Sequence, residues 1–357
     1  MSSNTPTPTL ARLGWHTFFE RQIDDARRHL HAARVIGQHH ERLRIQHEHG
    51  IHDAAVAGAL RHAGRLPVVG DWVLFADYGG TARIEACLHA RSLLARRAAG
   101  TRLAEQAIAA NVDIAFIVSA CNDDFSPRRL ERYLALTLAV GMRPVLLLTR
   151  ADLTDPTPYL AAAQTVAAGH PLLAVDAHAA ETATRLRPWI DAGETAVLLG
   201  SSGVGKSTLV NRLLGREFAA TAAIRNEDSK GRHTTTARNL YLLEGGGCLI
   251  DTPGMRELQL TGDEAGADQA FPELSRYAGQ CRFSDCTHRH EPGCAVRAAL
   301  ERGEIDAARW ESHEHLRREQ AANARRLGDA HERHRQEKVW GRMVRDALNA
   351  KRRRREE

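Results

Sequence analysis

The spacing of apolar and polar positions changes character three times along the chain. Up to about residue 32 the sequence is polar and then helical in pattern, with Trp15, Phe18, Phe19 and Ile23 spaced to share one helix face. From 33 to 97 the apolar runs are short: ARVIG, RLRIQ, DAAVAGAL, VVGDWVLFA and ARIEACL, divided by Gly, His and Pro. Five such runs predict a small antiparallel barrel of the OB type. From 98 to 264 the rhythm lengthens. NVDIAFIVSA (111–120) reads as a buried strand, and the stretch 126–141 as a helix with Ser126 as N-cap, Pro127 in its first position and Gly141 as its stop. RPVLLLT then reads as a second strand, followed by a helix, the short strand PLLAV, and the strand TAVLL. Strands alternating with helices imply a doubly wound parallel sheet, with ligands at the C-terminal ends of its strands. The segment 265–357 turns to Cys, His and Arg and is helical in pattern from about 300.

The strand TAVLL runs into Gly200-Ser201-Ser202-Gly203-Val204-Gly205-Lys206-Ser207, followed by Thr208 and a helix. This is the G-x-x-x-x-G-K-[ST] phosphate loop in its proper strand–loop–helix setting. Glycines let backbone N–H groups converge on phosphate, and the helix N-terminus adds partial positive charge. Lys206 is expected to reach the β- and γ-phosphates, and the Ser207 hydroxyl to ligate Mg²⁺. A further strand, GCLI, ends in Asp251-Thr252-Pro253-Gly254, where an acid can hold Mg²⁺ and the Gly254 N–H can sense a γ-phosphate. Between the two motifs lies KGRHTTT, from which Thr235, or alternatively Thr234, would complete the Mg²⁺ shell.

No N-K-x-D base-reading motif follows residue 254. Upstream, at a strand end, stand Thr149, Arg150, Ala151 and Asp152. Asp152 can accept two hydrogen bonds from a guanine edge, and the Arg150 stem can cover the ring. AVDAH (174–178) would supply a backbone contact to the base. The base-reading half therefore precedes the phosphate half.

CRFSDCTHRHEPGC presents Cys281, Cys286, His288 and Cys294, with His290 as a competing imidazole. Three thiolates and one imidazole make a closed tetrahedral set of the structural-zinc kind. The other three cysteines, Cys87, Cys121 and Cys248, are isolated in apolar surroundings. Six cysteines in 357 residues do not make a disulfide scaffold.

The net charge of +5 favours an anionic partner, and the terminal KRRRR reads as an interaction tail. No run is long and apolar enough to cross a bilayer, and the N-terminus has no basic region followed by an apolar one, so a cytoplasmic protein is expected. No heptad run is present, so a monomer is expected.

On these motifs the chain resembles the circularly permuted GTPases of the ribosome-small-subunit-dependent GTPase A family (RsgA, also called YjeQ). The resemblance covers barrel, GSSGVGKSTL, GRHTTT, DTPG and the cysteine cluster. It implies an N-terminal OB-fold, a permuted GTPase part and a C-terminal zinc-binding helical part. It also implies GTP hydrolysis stimulated by the small ribosomal subunit, with contact to its rRNA and a role in its late maturation. The family pattern selects His288 as the fourth zinc ligand. Thr149-Arg150 stand where the family has Asn-Lys, and Arg is not equivalent to Lys. Met255 stands where many GTPases carry a water-orienting Gln. His233 is the best local substitute, a choice the resemblance also supports, and Arg232 and Arg256 are lesser candidates for stabilising charge. A nucleotide-gated rRNA-binding scaffold with negligible turnover is the alternative reading, and a P-loop ATPase a third.

Overall fold

The computed structural model describes residues 8–39, 42–62, 66–97, 105–215, 238–251, 265–322 and 325. The first apolar residues do not form one helix. Two short helices, α1 (Pro8–Arg12) and α2 (Thr17–Glu20), are separated at Gly14, whose φ is +93°. A Cβ there would stand 2.5 Å from the Gly193 carbonyl oxygen, so close passage of the backbone overrides the helical spacing. Trp15 and Phe19 are buried against Trp72, while Phe18 is exposed.

Five strands form the barrel: β1 (His31–His39), β2 (Arg42–His47), β3 (Gly50–Val56), β4 (Trp72–Asp77) and β5 (Ala82–Cys87). Alternation drives it, with Leu43 and Ile45 of β2 inward and Arg42 and Arg44 outward. β1 pairs with both β2 and β4, β3 with β5 in parallel, and β4 with β5, which closes the ring. A helix, α3 (Gly58–His62), follows β3. A hairpin of β6 (Leu93–Arg97) and β7 (Glu105–Ala110), not anticipated from the sequence, pairs across position 97.

The α/β part follows: β8 (Ile114–Ala120), α4 (Pro127–Ala139), β9 (Arg143–Thr149), α5 (Thr157–Ala167), β10 (Leu172–Ala174), α6 (Glu181–Leu186), β11 (Thr195–Leu199), α7 (Lys206–Leu214), β12 (Asn239–Leu242) and β13 (Cys248–Asp251). Every residue of β8 and β11 is buried, as expected of parallel strands covered on both faces. Ser126 caps α4, its side chain accepting from the Arg129 N–H, and the chain stops at Gly141 with φ +75°. The buried face of α4 carries Leu130, Tyr133, Leu134 and Leu136, each large apolar side chain contributing about 1.5–3 kcal/mol on burial.

The strand order is β10-β9-β8-β11-β13-β12. The chain moves outward from β8 through β9 to β10 and then returns to place β11 on the other side of β8. The order thus reverses between β8 and β11, and a crevice at that switch point is where such sheets bind ligands. β12 also pairs with β1 at Asn239 and Gly37, so barrel and α/β part share one 11-stranded sheet. Arg34 strengthens the joint. Fully buried, it donates to the carbonyls of Leu13, Gly70 and Asn111, and its guanidinium lies over Trp72.

The C-terminal part is helical: α8 (Ala265–Ala270), α9 (Pro272–Ala278), α10 (Ala295–Glu301) and a helix α11 over 307–322. α8 lies on α4 so closely that a Cβ on Gly266 would stand 2.4 Å from that of Ala139. α11 is anchored to α4 by charge. Arg309 donates to Glu131 at 2.8 Å and to Glu273, Ser312 donates to the second Glu131 oxygen, and the Arg309 guanidinium stacks on Phe271. Glu131 is 2% exposed, so this pair is satisfied in a setting that would punish loss of either member.

Candidate functional site

At the switch point the phosphate loop passes directly over β8. Gly200 has φ +148°, and a Cβ on it would stand 2.2 Å from the Val118 carbonyl oxygen, so this position admits only glycine. Lys206 opens α7 and its Nζ donates to Gly200 O at 2.7 Å and to Ser201 O. The ammonium group thus points back over the loop, towards where a phosphate would sit. Ser207, exposed, and Thr208, half-buried, follow on the first turn of the helix. Asp251 ends β13, whose Ile250 is in register with Val197 of β11, so its carboxylate lies on the same sheet edge. Burial pushes the Asp251 carboxyl up from its ordinary value, and the positive charge of Lys206 partly offsets this.

The loop after β9 meets the phosphate loop. The Thr149 hydroxyl donates to the Val204 carbonyl at 2.7 Å and lies 3.2 Å from that of Ser119. Arg150, with φ +60°, donates to Gly203 O at 2.8 Å. Ala177 of the AVDAH loop flanks Gly205, where a Cβ would come within 3.5 Å of its methyl. Asp152 stands exposed on the turn that follows Arg150. Three stretches far apart in sequence are therefore brought together around Gly203–Gly205. Thr149 and Arg150 supply, through a hydroxyl and a guanidinium, the ties that lash the loop after β9 to the phosphate loop. His233, Thr234, Thr235, Gly254, Met255, Arg232, Arg256 and the KRRRR tail lie outside the described residues.

Sequence reasoning missed Arg129. From the first turn of α4 it donates to the Ser201 hydroxyl at 2.8 Å and pairs with Asp124 at 2.8 Å. Its one visible signal was its place just after the N-cap of the helix that follows β8.

The second constellation lies between α9 and α10. One ligand atom from each of Cys281, Cys286, His288 and Cys294 falls within 4.8 Å of all the others. The Sγ atoms of Cys281 and Cys294 are 4.0 Å apart, and each is 3.5 Å from His288 Nδ1. A tetrahedral ion with metal–sulfur bonds of about 2.3 Å needs sulfurs roughly 3.8 Å apart, so the four groups fit such an ion with little movement. His288 belongs to the set and His290 does not. The loop is braced by Glu291, also missed, which accepts from the Thr287 hydroxyl and from the N–H groups of Thr287, Arg289 and His290. Those bonds, the Thr287 hydroxyl first, hold its carboxyl well below the usual carboxylate range. Cys294 also caps α10, its sulfur accepting from the Arg297 N–H.

Comparison with known proteins agrees with this geometry. A profile of the RsgA GTPase family matches residues 87–261. Small ribosomal subunit biogenesis GTPase RsgA 2 of Vibrio parahaemolyticus serotype O3:K6 is 43% identical over 350 residues, 97% of this chain and 94% of that protein. The chain belongs to the RsgA GTPase family. A second member, the small ribosomal subunit biogenesis GTPase RsgA of Xanthomonas axonopodis pv. citri, is 50% identical over 261 residues, 72% of this chain and 71% of its own. The crystal structure of YjeQ from Thermotoga maritima superposes with a TM-score of 0.63 at 27% identity, covering 82% of this chain and 99% of that one. YloQ, a circularly permuted GTPase, shares the fold with a TM-score of 0.61 at 23% identity, covering 84% and 98%. The chain is thus a GTP-hydrolysing enzyme of the circularly permuted kind. Among the described residues no helix is long and apolar enough to cross a membrane.

Proposed function

We propose that this enzyme binds the small ribosomal subunit in its GTP state, hydrolyses GTP there with stimulation by the subunit, and acts in the late maturation of that particle in the cytoplasm. The relatives' names support the particle, and the meeting of Thr149 and Arg150 with the phosphate loop is the observation that carries the nucleotide. Asp152 reads the guanine edge. The Gly200–Gly205 backbone and Lys206 hold the phosphates, with Ser201, Ser202, Ser207 and Thr208 around them. Ser207, Thr235 and Asp251 would hold Mg²⁺, which supplies charge neutralisation at the β- and γ-phosphates. His233 orients the attacking water, and Gly254 senses the γ-phosphate. Cys281, Cys286, His288 and Cys294 hold one structural zinc, which supplies rigidity to a part with few large apolar side chains. The protein acts as a monomer, and rRNA is the anion its basic tail meets.

Phosphate release from GTP and from ATP, measured with and without purified small subunits, tests this reading. GTP-selective release that rises with subunits is expected, and His233→Ala should lose the stimulated rate. Binding without stimulation would support the scaffold instead, and ATP preference without subunit dependence an unrelated ATPase.

A further inference from the structure

Thr149 sits where the loop after β9, the phosphate loop and the AVDAH loop meet. Its methyl group and hydroxyl come within 3.7 Å of the point where a Cβ on Gly205 would stand, and the Ala177 methyl within 3.5 Å of the same point. The hydroxyl has one proton to give and two carbonyl oxygens beside it, Val204 O at 2.7 Å and Ser119 O at 3.2 Å. Both neighbours only accept, so the proton is committed to one of them, and lone pairs are all that the oxygen has left. The side chain is also 0% exposed, so it presents no surface to a ligand in the crevice. Thr149 therefore holds the loop after β9 against the phosphate loop and has no donor to offer a base.

Guanine asks for more than one kind of partner. Its N1–H and 2-amino groups donate, while O6 and N7 accept. An ionised carboxylate only accepts, so the exposed Asp152 suits the two donors. O6 lies beside N1 on the same six-membered ring and is left to the AVDAH backbone. N7 lies on the five-membered ring and needs a donor of its own. The Arg150 guanidinium is turned elsewhere, donating to Gly203 O at 2.8 Å over the phosphate loop. An asparagine at position 149, the family's residue, would carry two N–H donors on one nitrogen, one for Val204 O and one to spare. Threonine has none to spare.

We propose that this enzyme reads guanine through Asp152 and the AVDAH backbone and leaves N7 unread, so that its ligands include guanine nucleotides altered at N7, the 7-deazaguanine nucleotides among them. Thr149 is the residue that sets this tolerance. The proposal rests on the reading that Asp152 meets the guanine edge, and it adds which atoms of the base count. Selectivity against adenine is kept, because adenine presents an acceptor at N1 and has no 2-amino group.

The test is displacement of a fluorescent GDP from the full native chain by GDP, 7-deaza-GDP, IDP and ADP. 7-Deaza-GDP, in which a C–H replaces N7, is expected to match GDP within about twofold, less than one hydrogen bond is usually worth. IDP, which lacks the 2-amino group, should bind about tenfold or more weaker, the scale of a lost bond to a charged group. Thr149→Asn should prefer GDP over 7-deaza-GDP by about three- to tenfold, the scale of one neutral hydrogen bond, with thermal unfolding as the check that the variant folds. A merely structural role for Thr149 would move both nucleotides together. A native chain that binds 7-deaza-GDP about threefold or more weaker than GDP has another donor on N7, such as the exposed His178 ring, and overturns the proposal. A Thr149→Asn protein with no preference between the two removes Thr149 as the determinant and overturns it too. If ADP or IDP displaces the probe as well as GDP does, the guanine reading itself fails; if GDP selectivity holds and 7-deaza-GDP binds poorly, only this proposal does.

Discussion

The Thr149 hydroxyl donates to the Val204 carbonyl at 2.7 Å across 55 residues of sequence, and with the Arg150–Gly203 bond it joins the loop after β9 to the phosphate loop. Both residues are buried, so neither group can turn to water instead. Thr149→Val keeps the shape and removes the hydroxyl. It leaves the Val204 carbonyl unsatisfied, at a cost of about 1–3 kcal/mol. GDP affinity, read with a fluorescent nucleotide, should fall roughly tenfold or more, and Thr149→Ser should restore most of it.

Arg129 ties the start of α4 to Ser201 and to Asp124, and its hydrogen bond is the main reason the Asp124 carboxyl is held below its ordinary value. A carboxyl lowered in the folded state keeps its contact above the unfolded value and loses it as pH falls through the folded one. Carbon-13 titration of Asp124 should therefore move up to the ordinary carboxylate range in Arg129→Ala. GDP affinity in that variant should drop by a few-fold, since Ser201 loses its outer support.

The Arg309–Glu131 pair is the buried charged link between α11 and α4, beside the more exposed Arg128–Glu311 and Arg132–Glu319 pairs. Arg309→Met alone leaves Glu131 buried opposite a thioether, with an expected loss of about 3–5 kcal/mol. Urea unfolding should show the double variant Glu131→Leu with Arg309→Met recovering most of that loss, because an apolar pair of similar volume needs no desolvation of charge.

One zinc per chain is expected by elemental analysis, and Cys286→Ser should lose it. Chelation should increase hydrogen exchange across 281–301 while β8, β9 and β11 remain protected, because metal binding is folding energy only where the ligands sit.

Much of this architecture is local and therefore legible. The β8 and β11 runs, the Ser126–Gly141 helix and the G-x-x-x-x-G-K-S loop each carry their signal within a dozen residues. The Cys281–Cys294 spacing does the same for the metal cluster, and the family resemblance chose His288 over His290, as the cluster bears out. What escaped the sequence is long-range. Asn239 pairing with Gly37 fuses the barrel to the sheet, and Glu131 finds Arg309 across 178 residues. No periodicity encodes either contact. Gly14 misled in the other direction: the spacing of Trp15, Phe19 and Ile23 is helical, yet close passage by Gly193 breaks the helix before it can form. Thr149, which stands where the family has Asn, finds its partner Val204 only in the folded chain.

The central claim is that Asp152 and Lys206 serve one guanine-nucleotide pocket. Competition of GDP and ADP for a bound fluorescent guanine nucleotide tests it most directly, run on the native chain and on Asp152→Asn. GDP should displace the probe and ADP should not. Asp152→Asn should weaken GDP by about a hundredfold, the scale of lost hydrogen bonds to a charged group. ADP competing as well as GDP, or an Asp152→Asn protein that keeps its full preference for guanine, would contradict the account.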